Sequence, residues 1–292
     1  MVESRLTRFL LRLGAGFTLF FIYFPLVVIG LYAFNERVTQ QWPIRDWSTK
    51  WVSVAFHNDS VRTALQNSVV AALGATSIAL VLGTLASMAI ARYRFFGREV
   101  VTFAVILPIA LPGIVTGLAL QATIKDVLGS FGVRFGLATI VIGHATFCVV
   151  VVYNNVLARL RRTAGSLDEA SADLGADSWQ TFRYVMFPQM RTALLAGGLL
   201  AFALSFDEII VTIFTSGAIQ TLPIWMYATL FRPTELPIVN VVALFVIIVS
   251  VIPVYVAQRL AGGTGVAGGR ARAAAAPVPT GAATATAVET QG

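Results

Sequence analysis

Charged side chains are scarce in this chain of 292 residues, of which only 12% are charged and 57% are hydrophobic. A soluble domain of this length carries about a quarter charged residues on its surface. The low charge therefore excludes a soluble globular enzyme, a disordered protein and a coiled coil. The class that remains is an all-α polytopic membrane protein, in which apolar helices cross the bilayer.

Residues that carry chemistry are also few. The chain has one cysteine, Cys148, and two histidines, His57 and His144, which excludes a disulfide framework and a cysteine-built zinc site. It contains no G-x-x-x-x-G-K-[ST] phosphate loop, so we do not expect it to bind ATP in the P-loop manner. We therefore expect no catalytic residues, no metal site and no cofactor in this chain.

Six apolar stretches have the length of about 20 residues that a bilayer core requires. They are Leu13–Phe34, Leu65–Ala91, Val100–Ile124, Leu137–Leu157, Ala193–Phe214 and Ile238–Gln258. Pro108 and Pro112 predict kinks in the third span. The chain thus divides into a short N-terminus (1–12), a transmembrane domain (13–258) and a Gly-, Ala-, Thr- and Pro-rich tail (259–292) that we expect to be disordered.

Basic residues are unevenly distributed between the two sides of these spans. Of the 21 lysines and arginines, fourteen fall in the N-terminus, the second-to-third loop, the fourth-to-fifth loop and the tail, and seven fall in the opposite segments. The positive-inside rule then places both termini in the cytoplasm. The net charge of +7 is accounted for in this way without a nucleic-acid partner.

The fourth-to-fifth loop, residues 159–190, is the longest polar stretch between two spans. It contains two patterns of a helix-starting capping box, Ser166 with Glu169 and Asp177 with Gln180. Between them Gly175 suits a left-handed helix end, and Pro188 predicts the end of the second helix. The sequence predicts two short helices joined at a glycine, a pattern that an ordinary interfacial hairpin would also show.

This loop resembles the EAA motif of bacterial ABC importer permeases. That motif reads E-A-A, three residues, G, nine residues, I, one residue, L-P. The chain matches it at Glu169, Ala170, Gly175 and Pro188, with Val185 as a close substitute. Ser171 and Phe187 depart from its alanine and its leucine. The resemblance covers residues 10–258 and implies the six-span type I ABC importer permease (MetI-like) fold.

The resemblance implies that the loop docks into a cleft of an ATP-hydrolysing subunit. The residues that would make this contact are Glu169, Ala170, Ser171, Gly175, Asp177 and Pro188. Members of the family work with two ABC ATPase subunits, which bind ATP and Mg²⁺, with a second homologous permease subunit and with an extracytoplasmic solute-binding protein. They lie in the bacterial inner (cytoplasmic) membrane.

Two adjacent carboxylates, Asp207 and Glu208, lie in the apolar fifth span. Each costs about 2.5–3.5 kcal/mol at mid-bilayer on insertion scales, which favours a functional role. Pairing with an arginine or a helix N-terminus is the structural alternative. Neighbours on a helix point about 100° apart, so one carboxylate could line a pathway while the other pairs within the bundle. His144 in the fourth span is expected to hydrogen-bond a neighbouring helix rather than to carry protons.

The segment 205–208 and the later Leu-Pro-Ile of residues 222–224 resemble the spermidine/putrescine branch of these permeases. This resemblance implies a polyamine or a related organic cation as the solute. The candidate pathway residues are Asp207, Glu208, Trp225 and Tyr227, the last two of which would also suit interfacial anchors. Other solutes (a sugar, iron or a phosphonate) and a stand-alone secondary transporter remain as alternatives.

Overall fold

A computed structural model describes residues 5–163 and 165–262 of the chain. These residues are mostly helical, and the only β-pairing among them is one isolated bridge between Asn35 and Trp47. The all-α class predicted from composition is therefore confirmed. The α-helices are α1 (Arg5–Ala33), α2 (Lys50–Phe56), α3 (Asp59–Arg92), α4 (Arg98–Ala110), α5 (Gly113–Ala122), α6 (Leu137–Arg161), α7 (Ser166–Asp173), α8 (Ser178–Gln180), α9 (Phe187–Asp207), α10 (Ile210–Thr215), α11 (Leu222–Thr229) and α12 (Leu236–Gly262).

Five helical segments of the described chain are each long and apolar enough to cross a membrane. They are Arg5–Ala33, Asp59–Arg92, Leu137–Arg161, Ser178–Asp207 and Pro233–Val251. The third predicted span instead consists of two helices, Arg98–Ala110 and Gly113–Phe131, bent by 106°. The described residues thus contain up to six candidate spans, with the bent pair counted as one.

The bend of the third span lies at Leu111 and Pro112. Proline lacks a backbone N–H and disfavours the helical conformation in the residue before it, and Leu111 is accordingly extended, with φ −84° and ψ 145°. The kink predicted at Pro112 is confirmed and is large enough to separate two helices. The kink predicted at Pro108 does not end α4, which continues to Ala110.

The fifth span begins earlier than the sequence predicted. One helix runs from Ser178 to Asp207 and includes α8, a π turn at Thr181–Met186 and α9. The predicted helix end at Pro188 is wrong, because Pro188 lies in the first turn of α9. The wider π turn before it reduces the conflict of a proline with the carbonyl one turn back. The second helix of the loop is thus the start of the fifth span.

The core of the bundle lies where α3, α6 and α9 meet. A Cβ added to Gly83 of α3 would come within 2.9 Å of the Val149 carbonyl oxygen on α6. On α9, a Cβ added to Gly197 would lie 3.3 Å from the Val152 Cα. The backbones therefore approach closely, as small residues allow in membrane helix packing.

Helix α1 lies outside this core. Its residues up to 25 are exposed, and its last part packs against α12, where Gly30 faces Leu244. The exposed apolar side chains of α1 need lipid or another protein chain to cover them. The predicted tail falls outside the described residues from 263 onward.

Candidate functional site

Helix α7 forms the first part of the 159–190 loop. Its N-cap is Gly165, which has helical φ −64° and ψ −25° and no capping side chain. The capping box predicted from Ser166 and Glu169 is therefore wrong. The glycine extends the helical turn by one residue, so Ser166 is the first helical residue instead of the cap.

The end of α7 has the predicted geometry. Gly175 has a φ of +82°, and Ala176 N–H donates to the Ser171 carbonyl at 3.0 Å, which together form a left-handed helix cap. An added Cβ at Gly175 would meet no heavy atom within 4 Å. The requirement for glycine there is therefore one of backbone conformation, and the space around it is open.

The second predicted capping box, unlike the first, is present. Gln180 N–H donates to Asp177 Oδ1 at 2.8 Å, and Asp177 N–H donates to Gln180 Oε1 at 3.0 Å. Both donors would otherwise be unpaired at the start of the helix. The turn between α7 and α8 is thus defined by Gly175 and this reciprocal pair.

One face of α7 is open to a partner. Leu167, Ala170 and Leu174 are all exposed, and 89% of Leu174 is accessible to solvent. Glu169 is exposed beside them. This small, weakly apolar face therefore points away from the rest of the chain.

Two other side chains of α7, Asp168 and Ser171, contact neighbouring helices. Asp168 pairs with Arg92 at the end of α3, with Nε and Oδ2 2.9 Å apart. Ser171 Oγ lies 2.9 Å from Thr181 Oγ1. No local sequence pattern predicts either contact, because the two residues of each pair belong to different helices.

The fifth span is broken at its acidic pair. Asp207 is the last residue of α9, Glu208 is extended with φ −71° and ψ 121°, and α10 begins at Ile210. The single helix predicted across Ala193–Phe214 is therefore wrong. The estimate that these side chains point about 100° apart does not apply, because they do not share a helix.

The two carboxylates have different surroundings. Glu208 Oε1 accepts the backbone N–H of Val211 at 3.0 Å, so this carboxylate caps the start of α10, a position that the helix dipole favours. Asp207 is exposed and lines a cavity of about 510 Å³ between α3, α9 and α12. The helix N-terminus considered as a structural partner is thus occupied by Glu208.

Aromatic side chains form part of this cavity. Phe202, Phe206 and Phe245 line it together with Asp207, and the rings of Phe202 and Phe206 are stacked with centroids 6.0 Å apart. A carboxylate beside aromatic faces suits an organic ammonium group. The cavity therefore has the chemistry of a site for a cationic solute.

His144 on α6 connects the two sides of the break. Its Nδ1 lies 2.8 Å from Ser205 Oγ on α9, and its Nε2 lies 2.8 Å from Thr212 Oγ1 on α10. The Thr212 hydroxyl donates to the Glu208 carbonyl at 2.7 Å, so it accepts from Nε2–H, which leaves Nδ1 to accept from Ser205. The expected hydrogen bond to a neighbouring helix is confirmed.

Trp225 and Tyr227 lie elsewhere. Trp225 is 4% exposed and packs in a second apolar cluster with Leu222 and Ile238. Tyr227 is half-exposed and contacts Phe231 edge to face. Neither belongs to the lining of the Asp207 cavity, and within the described ranges no group of three potential metal ligands occurs.

Residues 79–262 match the model of a family described as the binding-protein-dependent transport system inner membrane component. The chain belongs to this family. It is therefore a multi-pass membrane permease, and it is the permease subunit of an ABC importer. The 159–190 loop and the broken span both lie within the matched region.

Named relatives cover most of the permease. It is 32% identical over 237 residues to the putrescine transport system permease protein PotI of Escherichia coli strain K12. The matched region covers 80% of this chain and 83% of the relative. It is 30% identical over 256 residues to the spermidine/putrescine transport system permease protein PotC of Haemophilus influenzae, spanning 87% of this chain and 97% of the relative.

A solved structure shows the same fold. A chain of a bacterial ABC transporter involved in the import of the acidic polysaccharide alginate superposes with a TM-score of 0.67 at 18% identity, covering 89% of this chain and 99% of that chain. At this identity the likeness supports the fold alone. The ABC importer permease fold expected from the loop is therefore confirmed.

Proposed function

We propose that the permease imports a small organic cation of the putrescine and spermidine class. Two kinds of observation support the proposal. Relatives at 30–32% identity carry the names of putrescine and spermidine/putrescine permeases, and the broken fifth span presents a carboxylate to an aromatic cavity.

The proposal rests mainly on the different surroundings of the two carboxylates. Glu208 is occupied by the N-terminus of α10, whereas Asp207 is exposed in the cavity. An ammonium group that leaves water needs a compensating negative charge, because an unpaired charge in a low-dielectric passage is heavily penalised. Asp207 supplies that charge, with Phe202 and Phe206 beside it.

The assembly contains further chains. We infer two ATPase subunits that bind ATP and Mg²⁺, a second homologous permease subunit, and a binding protein that delivers the solute from outside. The absence of a phosphate loop in this sequence supports a separate ATPase chain. The twofold excess of basic residues on one side supports a cytoplasmic position for both termini and for the 159–190 loop.

Coupling then proceeds through the loop. The exposed α7 face with Leu167, Ala170 and Leu174 enters a cleft of the ATPase in the manner of a helix in a groove. ATP binding closes the ATPase dimer and moves the two permease loops together. The spans then reorient, and hydrolysis resets them. The solute site is exposed alternately to the two sides.

Uptake of radiolabelled putrescine tests the substrate. The permease is reconstituted into proteoliposomes with its partner subunits and its loaded binding protein. Asp207→Asn keeps the size of the side chain and removes its charge, so uptake should fall about tenfold or more, the factor that 1.4 kcal/mol produces. The yield of assembled complex should stay normal, because Asp207 is exposed.

Asp207→Glu is the matched control, since it keeps the charge and should keep most of the uptake. Butane-1,4-diol, which has the length of putrescine without its charges, should not compete with it. Full uptake by Asp207→Asn at normal yield would contradict the cation site and would favour an uncharged or anionic solute.

A further inference from the structure

Among the described residues, two polar side-chain contacts attach helix α7 to the bundle in addition to its chain connections. The first is the ion pair between Arg92 and Asp168, whose side chains are only 18% and 23% exposed. This low exposed fraction matters because fully exposed ion pairs are screened by water and contribute little to stability. A pair that is shielded this far links its two helices more firmly.

The position of Arg92 depends on Asp168. Arg92 is the last residue of α3, where a cation interacts favourably with the helix dipole. Its guanidinium also reaches the start of α7, since a Cβ added to Gly165 would lie 3.3 Å from Nη1. A cation at a helix N-terminus is disfavoured, so the Asp168 carboxylate is what holds the guanidinium there.

The second attachment uses Ser171, one of the two residues that depart from the EAA motif. The Ser171 hydroxyl donates to the Asp168 carbonyl at 2.8 Å, so the Thr181 hydroxyl must donate to Ser171 Oγ, 2.9 Å away. Thr181 begins the π turn that leads into α9. An alanine at position 171 could not form this contact.

The two attachments lead to different spans of the same core. Ser171 connects α7 to the fifth span, to which α7 is also joined along the chain. Arg92 connects α7 to α3, a helix of 34 residues and about 50 Å, which packs closely on α6 at Gly83. A displacement of α7 can thus reach α3 without passing through α9.

We propose that Arg92 is a positioning residue of the coupling step. Its ion pair with Asp168 carries the displacement of α7 directly into α3, in parallel with the route through Thr181 and α9. α3 and α9 then move together, which keeps the bundle intact while the passage reorients. The inference rests on the proposed docking of the loop to an ATPase subunit.

Charge reversal tests the pair in the reconstituted transporter. Arg92→Glu and Asp168→Arg are compared with the double variant that exchanges the two charges. The readouts are putrescine uptake, stimulation of ATP hydrolysis by the loaded binding protein, the ratio of solute moved to ATP hydrolysed, and the amount of ATPase that co-purifies. Arg94→Glu is the matched control, because Arg94 is exposed two residues further on.

Each single reversal should lower the transport-to-hydrolysis ratio about tenfold, within the range expected for groups in direct contact, while the ATPase still co-purifies. The exchanged pair should restore most of the ratio, and Arg94→Glu should not change it. A structural role would lower the yield of complex and leave this ratio unchanged. If a single reversal prevents assembly, Arg92→Gln and Asp168→Asn replace it with the same readouts.

Wild-type ratios in the single variants, or an exchanged pair that assembles normally without restoring the ratio, would overturn the proposal. Failure of the proposed function gives a different result. If the solute is not a polyamine, the wild-type transporter takes up no putrescine, but its ATP hydrolysis is still stimulated by the loaded binding protein. The role of Arg92 is then decided by comparing this stimulation between the Arg92 and Asp168 variants and the wild type. If no ATPase co-purifies with the wild type, the docking itself is wrong.

Discussion

The 159–190 loop and the break of the fifth span are both places where one helix ends and another begins, but their polar groups are satisfied differently. In the loop, Asp177 and Gln180 cap each other within a few residues. At the break, the side chains on either side, Ser205 and Thr212, both bond to His144 of another helix. The loop turn is held by local contacts, whereas the break combines a local cap from Glu208 with bonds to His144 on another helix of the bundle.

This difference assigns different tasks to the two regions. A turn that is held locally keeps its shape when a partner displaces it, which suits a part that receives movement. A break that is held by α6 changes when α6 and α9 shift relative to each other, so it can respond to movement of the spans. Substitutions in the loop should therefore affect coupling, and substitutions at the break should affect stability or the solute.

The largest effect is expected from Gly175→Val. A side chain at φ +82° costs about 1–2 kcal/mol, and more for a β-branched residue, so the turn between α7 and α8 should change its direction. We expect stimulation of ATP hydrolysis by the loaded binding protein to be lost while the permease remains in the membrane. The measurement is ATPase activity of the reconstituted complex with and without the binding protein.

Gly132→Val is the matched control for that experiment. Gly132 also has a φ of +82° and no heavy atom within 4 Å of an added Cβ, but it follows the short 3₁₀ turn Leu128–Phe131 outside the loop. It carries the same backbone strain without a contact to the ATPase. Equal loss of stimulation in both variants would show that general strain, not the loop, is responsible.

A smaller effect, on stability, is expected from His144→Ala. The substitution leaves the buried hydroxyls of Ser205 and Thr212 without their partner on α6, which costs about 2 kcal/mol. The thermal unfolding midpoint of the purified complex should fall, whereas ATP hydrolysis per assembled complex should still respond to the binding protein. His57→Ala, in which an exposed ring is removed, should leave the midpoint unchanged.

One result with His144→Ala would contradict the different roles assigned here to the loop and to the break of the fifth span. An unchanged unfolding midpoint combined with lost stimulation would place the break, rather than the loop, at the centre of coupling.

The features that could be predicted from the sequence are those held by local contacts, as in the loop. The cap at Gly175 and the Asp177–Gln180 box were predicted because all their atoms lie within one turn of chain. The box at Ser166 was predicted wrongly, because Gly165 can take a helical conformation that the pattern does not encode. Local signals thus define a turn well but place its ends within a residue or so.

The break at Glu208 could not be predicted from local signals. No proline or glycine lies between Ser205 and Thr212, and the apolar pattern continues across the acidic pair. The chain opens there because Glu208 caps the new helix and because His144 holds both sides. The only indication in the sequence was the acidic pair itself, which marked the place without its geometry.

The smallest effect is expected from Glu208→Gln, and it sharpens the contrast between the two carboxylates. Glutamine keeps an oxygen that can accept the Val211 N–H but loses the negative charge at the start of α10. That charge is worth about 0.3–1 kcal/mol, so the unfolding midpoint should fall slightly and putrescine uptake per complex should stay close to wild type. Glu208→Ala, which removes the cap as well, should lower the midpoint further. If Glu208→Gln instead reduces uptake as strongly as Asp207→Asn at normal yield, both carboxylates serve the solute, and the assignment of Glu208 to the cap alone is wrong.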